Sequence, residues 1–314
     1  MVKNALAAAK QVGLSKEMIY QFDDEPCTPF EGIKDWREMM GSAEEAESYQ
    51  WRKLSPNESV NTVATINYSS GTTGLPKGVC ISHHALIANV EQTIFMRWYP
   101  GLKPGEQPNE RWVGFLPLYH AYGQLYVNLM ATKVRVPIYI MKQFVYSEFL
   151  RCIQEYKITH LQVAPPILVM MNKRPETKNY DLSTLKGVLC GAAPLAKELQ
   201  NEVSRDFKID IKQGWGMTEV TCGSILQIEP AFDGNVGKLI PNTECKLIDD
   251  NGKECGQDEA GEMYIRAPNV CLRYWKNETA TAESIDSDGW LKTGDVAVYN
   301  NDQIFWIVDR KKEV

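Results

Sequence analysis

The sequence predicts a layered α/β sheet core followed by a small β-barrel-like subdomain. Between residues 111 and 216, short apolar segments that end in Gly or Pro turns alternate with amphipathic segments of helical period, which is typical of a largely parallel sheet. After about residue 230, closely spaced turns separate short alternating runs, which is typical of antiparallel strands. Parallel sheets bind ligands at the carboxyl ends of their strands, so we expect a site at the turns of the first part.

The predicted elements follow in chain order. Residues 1–60 predict a helix, a short apolar segment at 18–22 and a polar surface connection. "VATINYSS" (63–70) predicts a strand, and "SHHALIANVEQTIFMRW" (82–98) predicts a helix capped by Ser82. Helices are also predicted for "YSEFLRCIQEY" and "PLAKELQNEVSRDF". Buried strands are predicted over 111–120, 133–141, 159–166, 185–194 and 209–216.

The composition is that of an ordinary globular protein, with 44% hydrophobic and 24% charged residues among 314. A net charge of −6 argues against a nucleic-acid partner, because such surfaces normally show a basic stripe. No stretch approaches the roughly 20 apolar residues of a membrane span, and the alanine-rich N-terminus predicts a helix, not a signal peptide. We therefore expect a cytoplasmic or peroxisomal protein that is not secreted. The oligomeric state stays open.

The eight cysteines are scattered without any CxxC pair, so the sequence shows no zinc ligand set. In a chain of this length without a secretory signal, we expect them to be reduced and buried as small apolar residues. "GVLCGAAP" lacks the Gly-x-Ser-x-Gly pattern of a nucleophile elbow, so Cys190 carries little weight as a nucleophile.

The stretch "YSSGTTGLPKGV" (68–79) predicts a phosphate-binding loop. Backbone N–H groups of a glycine-rich turn converge on phosphate oxygens, and small hydroxyls add donors. It is not the P-loop of NTPases, because Pro76 precedes Lys77 and Gly78 follows it. A polar linker is the alternative, but the order of strand, glycine loop and helix favours phosphate. The candidate residues are Ser69, Ser70, Gly71, Thr72, Thr73, Gly74 and Lys77.

A second candidate stretch is "QGWGMTE" (213–219). Gly214 and Gly216 allow a planar ligand to approach the backbone, and Trp215 offers a stacking face. Thr218 supplies a hydroxyl beside the carboxylate of Glu219, which could hold Mg²⁺ because that ion takes oxygen ligands shared with substrate phosphates. A solvated glutamate or a helix cap is the alternative.

Two further candidates are polar groups near turns. In "GWLKTGD" (289–295), Asp295 could accept hydrogen bonds from a ribose diol, and Arg310 of "VDRKKEV" could donate to the same diol. A turn carboxylate and a surface base are the alternatives. His120 of "PLYHAYG" could orient an acyl group, against the alternative of a partly buried histidine.

Taken in order, these motifs resemble the adenylate-forming (AMP-binding) acyl-CoA synthetase family, which includes luciferases and the adenylation domains of peptide synthetases. The residues of these motifs are most similar to those of 4-coumarate:CoA ligase-like enzymes. The motifs that carry the resemblance, across residues 68–313, are "YSSGTTGLPKGV", "PLYHAYG", "LCGAAPL", "QGWGMTE", "GEMYIRA", "GWLKTGD" and "VDRKKE".

The resemblance implies that an aromatic or fatty carboxylic acid is activated with ATP to acyl-AMP and passed to CoA, with Mg²⁺ required. It implies that the glycine loop grips the β,γ-phosphates, that Thr218 contacts the α-phosphate, and that Glu219 holds Mg²⁺. The implied catalytic set is Thr218, Glu219, His120 and Lys77. The implied adenine and ribose contacts are Gly191, Ala192, Ala193, Gln213, Gly214, Trp215, Asp295 and Arg310. The implied acyl pocket is His120, Tyr122, Leu189, Gly191, Gly216, Cys222 and Gly223.

The resemblance also implies three regions: an α/β nucleotide-binding core over 1–229, incomplete at its N-terminus, a β-rich subdomain over 230–309, and the start of a hinge over 310–314 that includes Lys312. Because family members extend further at both ends, we expect a truncated chain that is impaired as a fragment and holds only the ATP and acyl site. The small residues at 222–224 suggest room for a larger acid. The alternatives are an amino-acid-activating adenylation domain of a peptide synthetase and a non-catalytic nucleotide-binding paralogue.

Overall fold

The computed structural model of this chain describes residues 2–69, 75–98 and 105–311, which divide into two compact units, Met1–Leu54 and Ser55–Val314. The first unit is small and has little regular structure. Its two short strands pair in parallel, and Ser42 and Glu45 cap its second helix reciprocally in a capping box. Its elements are α1 (Val2–Gln11), β1 (Tyr20–Gln21), β2 (Lys34–Asp35) and α2 (Ala43–Ser48).

The described part of the second unit contains three sheets and several helices. Its strands are β3 (Val63–Ser69), β4 (Lys77–Ser82), β5 (Trp112–Gly114), β6 (Ile138–Ile140), β7 (His160–Val163), β8 (Gly187–Cys190), β9 (Asp210–Trp215), β10 (Ile225–Leu226), β11 (Lys238–Leu239), β12 (Glu244–Ile248), β13 (Gly261–Arg266), β14 (Arg273–Tyr274), β15 (Leu291–Tyr299) and β16 (Phe305–Arg310). Its helices are α3 (Pro56–Asn61), α4 (His83–Trp98), α5 (Ala121–Gly123), a π-helix (Gln124–Met130), α6 (Ala131–Val134), α7 (Tyr146–Tyr156), α8 (Pro165–Lys173), α9 (Lys197–Phe207) and α10 (Glu278–Ser284).

The largest sheet confirms the predicted layered α/β core. Its strand order is β11-β10-β9-β8-β7-β5-β6. The five strands from β9 to β6 run parallel, and β10 pairs antiparallel with both β9 and β11. Successive side chains of β8 point to opposite faces, so Val188 packs with α7, α8 and α9, whereas Leu189 packs with Tyr122 and Tyr126. The second of these two cores reaches the cavity described below.

Strand β3 is followed along the chain by a second strand, β4, with which it forms a β-hairpin, so the expected order of strand, loop and helix is wrong. Strand β4 intervenes and pairs antiparallel with β3, with Ser69 opposite Lys77. Val79, Cys80 and Ile81 are all fully buried, so β4 is covered on both faces and shows no alternation in the sequence. Helix α4 begins only after β4, and there the predicted cap is confirmed, because the Ser82 hydroxyl accepts the Ala85 N–H at 3.0 Å.

The β-rich region forms an antiparallel sheet of order β12-β13-β15-β16. Alternate residues Met263 and Ile265 of β13 are fully buried in its core. Strand β11 falls within the predicted subdomain but pairs with β10 of the large sheet, so the boundary at 229/230 stays a prediction. Within the described ranges, no helix combines the length and the apolar character that crossing a bilayer requires.

Candidate active site

A cavity of about 450 Å³ opens in the second unit beyond the carboxyl ends of β8 and β9. It brings together most of the predicted site residues: Ser69, Lys77, His120, Tyr122, Leu189, Gly191, Ala192, Gly214, Trp215, Gly216, Thr218, Glu219, Cys222, Gly223 and Arg310. Three predicted residues do not line it: Ala193, Gln213 and Asp295. The others, Ser70, Gly71, Thr72, Thr73 and Gly74, lie outside the described residues, as does Lys312.

Ser69, the last residue of β3, and Lys77, the first residue of β4, line the cavity side by side. The Ser69 hydroxyl is buried and makes no hydrogen bond to the described residues. The Lys77 ammonium lies 5.0 Å from the ring centre of Tyr274. A buried hydroxyl without an internal acceptor, beside a lysine, fits an anionic ligand, since an unpaired buried polar group otherwise costs free energy.

Glu219 is a nearly buried carboxylate, 5% exposed, that follows β9 in a short 3₁₀ turn. Its Oε1 accepts a 2.8 Å hydrogen bond from the Tyr274 hydroxyl, and its Oε2 makes none to the described residues. Burial, and then the Glu219 charge, raise the pKa of Tyr274, which keeps that hydroxyl a donor.

This donor set fits Mg²⁺. In the part of the chain that the structure describes, no group of three or more His, Cys, Asp or Glu could enclose a metal ion. Magnesium does not need such a group, because it is usually held by one or two carboxylates, substrate phosphates and water. A single carboxylate with one oxygen available, in the cavity that Lys77 also lines, meets that requirement.

The path of the backbone after β9 requires a glycine at position 216, for a reason that the sequence alone does not show. A Cβ at Gly216 would lie 1.7 Å from the carbonyl oxygen of Cys222, so the chain folds back onto this glycine. The turn is fixed from outside, because the Thr221 hydroxyl donates to the carbonyl of Asn269 at 2.7 Å and the Asn269 amide donates to the carbonyl of Val220 at 2.8 Å. Cys222 and Gly223 are thereby held at the cavity wall.

Trp215, Asp295 and Arg310 form a linked group. The indole Nε1 of Trp215 donates to Oδ2 of Asp295 at 2.9 Å, and Nε of Arg310 lies 3.2 Å from Oδ1. Asp295 and Arg310 are paired across β15 and β16, which sets this arrangement. Asp295 is 8% exposed and its carboxylate already has these partners. Arg310 and the neighbouring Thr293, which do line the cavity, form its surface here. The ribose role of Asp295 stays a prediction.

The predicted adenine wall is only partly at the cavity. Ala192 adopts a left-handed conformation, with φ of 68°, which turns the chain sharply after β8 and exposes Gly191 and Ala192 to the cavity. The Gln213 side chain lies elsewhere, since its Nε2 donates to Oε1 of Gln200 at 2.7 Å inside a buried network. Any contact from Gln213 would have to come from its backbone.

His120 and Tyr122 are positioned by the start of α5. Nδ1 of His120 accepts the Tyr122 N–H at 3.2 Å, so the neutral ring carries its proton on Nε2, and desolvation lowers the pKa of His120. The Tyr122 hydroxyl donates to the carbonyl of Leu189 at 2.8 Å, and the Tyr126 ring meets Tyr122 edge-on at 5.1 Å. Burial raises the pKa of Cys222 to about 12, so it is a neutral thiol.

Sequence reasoning missed several lining residues, including Tyr126, Tyr274, Lys292 and Thr293. Tyr126 had a signal, since it lies four residues after Tyr122 and so shares a helix face with it. Tyr274 had none, because its place depends on the pairing of β14 with β4, which joins distant segments.

Comparisons with known proteins identify relatives of this chain. A probable 4-coumarate–CoA ligase 3 of Dictyostelium discoideum is 39% identical over 255 residues, covering 80% of this chain and 45% of the relative. The 4-coumarate–CoA ligase 1 of Arabidopsis thaliana is 36% identical over 313 residues, covering 95% and 54%. The chain therefore spans about half the length of the curated relatives that it matches.

Two solved structures confirm the fold. The luciferase-like enzyme of the nonluminescent mealworm Zophobas morio superposes on the whole chain and on 70% of its own length, with a TM-score of 0.81 and 25% identity. O-succinylbenzoate coenzyme A synthetase of Bacillus subtilis, in complex with ATP and magnesium ion, matches 81% of this chain and 51% of its own, with a TM-score of 0.70 and 26% identity. The family model of the AMP-binding enzyme matches residues 5–275. The chain therefore belongs to the AMP-binding enzyme family.

Proposed function

We propose that this chain provides the ATP and acyl site of an acid-thiol ligase, which activates an aromatic or fatty carboxylic acid as acyl-AMP and transfers the acyl group to CoA. One observation carries the proposal: a single cavity joins a charged end, with Lys77 and Glu219, to an uncharged aromatic end, with Tyr122 and Tyr126. The complex of the related synthetase with ATP and magnesium ion supports the same pair of cofactors here.

The first step is attack of a carboxylate oxygen on the α-phosphorus of ATP. A bond forms between that carboxylate oxygen and the α-phosphorus, the bond from the α-phosphorus to the oxygen that bridges it to the β-phosphorus breaks, and pyrophosphate leaves with that oxygen. In the second step, the CoA sulfur bonds to the acyl carbon, its proton is lost to solvent or a base, and AMP leaves.

This chain's residues act on the first step mainly by positioning and by balancing charge. Lys77 and the Ser69 hydroxyl would receive the departing pyrophosphate, and Thr218 would donate to the α-phosphate. When bound through Glu219, Mg²⁺ would neutralise phosphate charge. His120, with its proton on Nε2, would donate to the acid carboxylate or to the acyl-AMP carbonyl.

The acyl end favours an aromatic acid. Among the described residues that line it, Tyr122, Tyr126, Leu189, Cys222 and Leu226 carry no charge at neutral pH, and the two tyrosine rings offer faces and edges to a flat ligand. An amino-acid substrate would need an anion for its ammonium group. Glu219, which accepts from Tyr274, is the one carboxylate in the described lining.

The cysteines support a reducing compartment. All eight are free thiols, and four of them are buried: Cys80, Cys152, Cys190 and Cys271. We propose a cytoplasmic or peroxisomal location, which fractionation of cells expressing a tagged protein would test.

The test of function is calorimetric binding of non-hydrolysable acyl-sulfamoyl-adenosine analogues. We expect the 4-coumaroyl analogue to bind more tightly than sulfamoyl-adenosine alone. Absence of binding by every analogue would refute the proposal, and tightest binding of an aminoacyl analogue would favour the peptide-synthetase alternative. Acid-dependent exchange of pyrophosphate into ATP then separates an enzyme from a non-catalytic paralogue, which would bind without exchange.

A further inference from the structure

Tyr274 contacts both charged groups at the proposed phosphate end of the cavity. Its hydroxyl donates to Oε1 of Glu219 at 2.8 Å, and its ring faces the Lys77 ammonium at 5.0 Å. Tyr274 lines the cavity itself and is 6% exposed. The Tyr274 side chain therefore contacts both the Glu219 carboxylate, on the turn after β9, and the Lys77 ammonium, on β4.

The backbone around Tyr274 is tied to both of these elements. Strand β14 pairs with β4, and the Trp275 N–H donates to the carbonyl of Gly78 at 2.6 Å. The Cys271 N–H donates to the carbonyl of Glu219 at 2.8 Å. The Tyr274 N–H is satisfied by the Thr281 hydroxyl at 3.0 Å. Backbone hydrogen bonds thus connect the segment 271–275 to β4 at one end and to the turn that carries Glu219 at the other.

These contacts determine how Glu219 is presented. A free glutamate side chain loses rotamer freedom when it is ordered, so a carboxylate fixed in advance binds an ion at lower entropic cost. Donation from Tyr274 holds Oε1, and Oε2 makes no hydrogen bond to the described residues. Groups that hydrogen-bond a metal-ligating carboxylate orient it, and their loss typically lowers metal affinity about 10- to 100-fold.

The ring has a separate effect on Lys77. An ammonium within about 6 Å of an aromatic ring centre is attracted to the ring face. This contact holds the ammonium near the cavity wall without neutralising it, since the ring carries no charge. The hydroxyl and the ring of Tyr274 can therefore be tested separately.

The geometry points to Tyr274 as a positioning residue that presets the Glu219 carboxylate for Mg²⁺ and the Lys77 ammonium for phosphate. This inference rests on the proposed nucleotide function of the cavity.

The experiment is calorimetric titration of the full chain with ATP, once with excess Mg²⁺ and once with EDTA. The quantity compared is the ratio of the two affinities, which is measured within one preparation. Tyr274→Phe removes the hydroxyl and keeps the ring under Lys77. We expect it to lower the ratio about 10-fold or more while the affinity without metal stays within about threefold. Tyr274→Leu, which also removes the ring, should weaken metal-free binding as well.

Tyr146→Phe is the matched control, because it removes a buried hydroxyl that contacts the Thr177 hydroxyl at 2.7 Å outside the cavity. We expect that variant to keep the wild-type ratio. Glu219→Gln tests the metal role of Glu219 separately from the positioning role of Tyr274. If Glu219→Gln loses the Mg²⁺ effect and Tyr274→Phe keeps it, the positioning role is overturned alone. If Glu219→Gln also keeps it, the metal role of Glu219 fails and the role of Tyr274 fails with it.

Discussion

The indole N–H of Trp215 and the carboxylate of Asp295 are joined by a 2.9 Å hydrogen bond, although 80 residues separate them in the chain. The bond ties the end of β9 in the large sheet to β15 in the four-stranded sheet. Both residues are more than nine-tenths buried, so the carboxylate has little access to water as a substitute partner.

Trp215→Phe tests this connection. We expect the free energy of unfolding to fall by about 1–3 kcal/mol, because a buried acceptor loses a donor. Urea denaturation followed by circular dichroism measures it. Trp51→Phe is the control, since Trp51 is 82% exposed and its replacement should change stability by less than about 0.5 kcal/mol. Equal stability of the Trp215 variant and wild type would contradict the prediction.

Lys77→Met tests the phosphate end. We expect the affinity for ATP to fall about tenfold, because a charge-assisted contact to phosphate is worth roughly 1.5–3 kcal/mol, while the affinity for AMP stays nearly constant. Fluorescent-nucleotide competition measures both. Lys157→Met, at an exposed lysine near Asp181, should change neither affinity. A parallel loss of AMP and ATP affinity in the Lys77 variant would place this lysine elsewhere than at the outer phosphates.

Cys222→Phe tests the acyl end. The larger side chain should occupy space beside Tyr122 and Leu226, so the 4-coumaroyl-sulfamoyl-adenosine analogue should bind more than about tenfold more weakly, while AMP binding changes by less than about twofold. Cys222→Ala removes the sulfur without filling the pocket and should bind both ligands as wild type does. Calorimetry measures both affinities, and equally weaker binding of both ligands would contradict the placement of Cys222 at the acyl end.

His160→Gln tests a buried charged cluster at the amino end of the large sheet. Burial lowers the pKa of His160 from its ordinary 6.5 to about 4, and nearby Arg97, Lys186 and Lys212 also oppose its protonation, whereas Glu110 favours it. The unfolded chain therefore takes up a proton near pH 6.5 that the folded chain refuses until about pH 4. Stability contributed by the neutral ring is present above pH 6.5 and is lost as the pH falls to about 4.

Between pH 6.5 and pH 4, the free energy of unfolding of the His160→Gln variant should fall by about 2 kcal/mol less than that of wild type, because glutamine does not titrate. Urea midpoints at half-unit pH intervals give the slope. Identical slopes for the two proteins would show that His160 does not control this pH dependence.

The sequence predicts best those elements whose burial follows a simple period. Helix α7 matches "YSEFLRCIQEY" because Tyr146, Phe149, Leu150 and Ile153 recur at helical spacing and are all buried. Strand β4 escaped prediction because it is buried on both faces and has no alternation. The local part of the site was predicted, since each motif lies within a few residues of a strand end.

The pairing of distant groups was not predictable from one sequence. The contact of Glu219 with Tyr274 joins residues 55 apart, and it depends on the register of a two-residue strand. Likewise, the burial of Asp295 depends on the bulky indole that donates to it. Such contacts are set by tertiary packing, which residue spacing does not encode.

Tyr122 and Leu189, which line the proposed acyl end of the cavity, also belong to one of the protein's buried cores. Changes of substrate preference made at these two positions therefore carry a folding penalty, and a lineage can tolerate few of them in succession. Gly223 is under less constraint, since it is held through its backbone by the Asn89 side chain, and a Cβ there would make only an ordinary 3.9 Å contact with the carbonyl oxygen of Trp215. Divergence of acid preference among homologues should therefore concentrate in this turn and spare the aromatic pair.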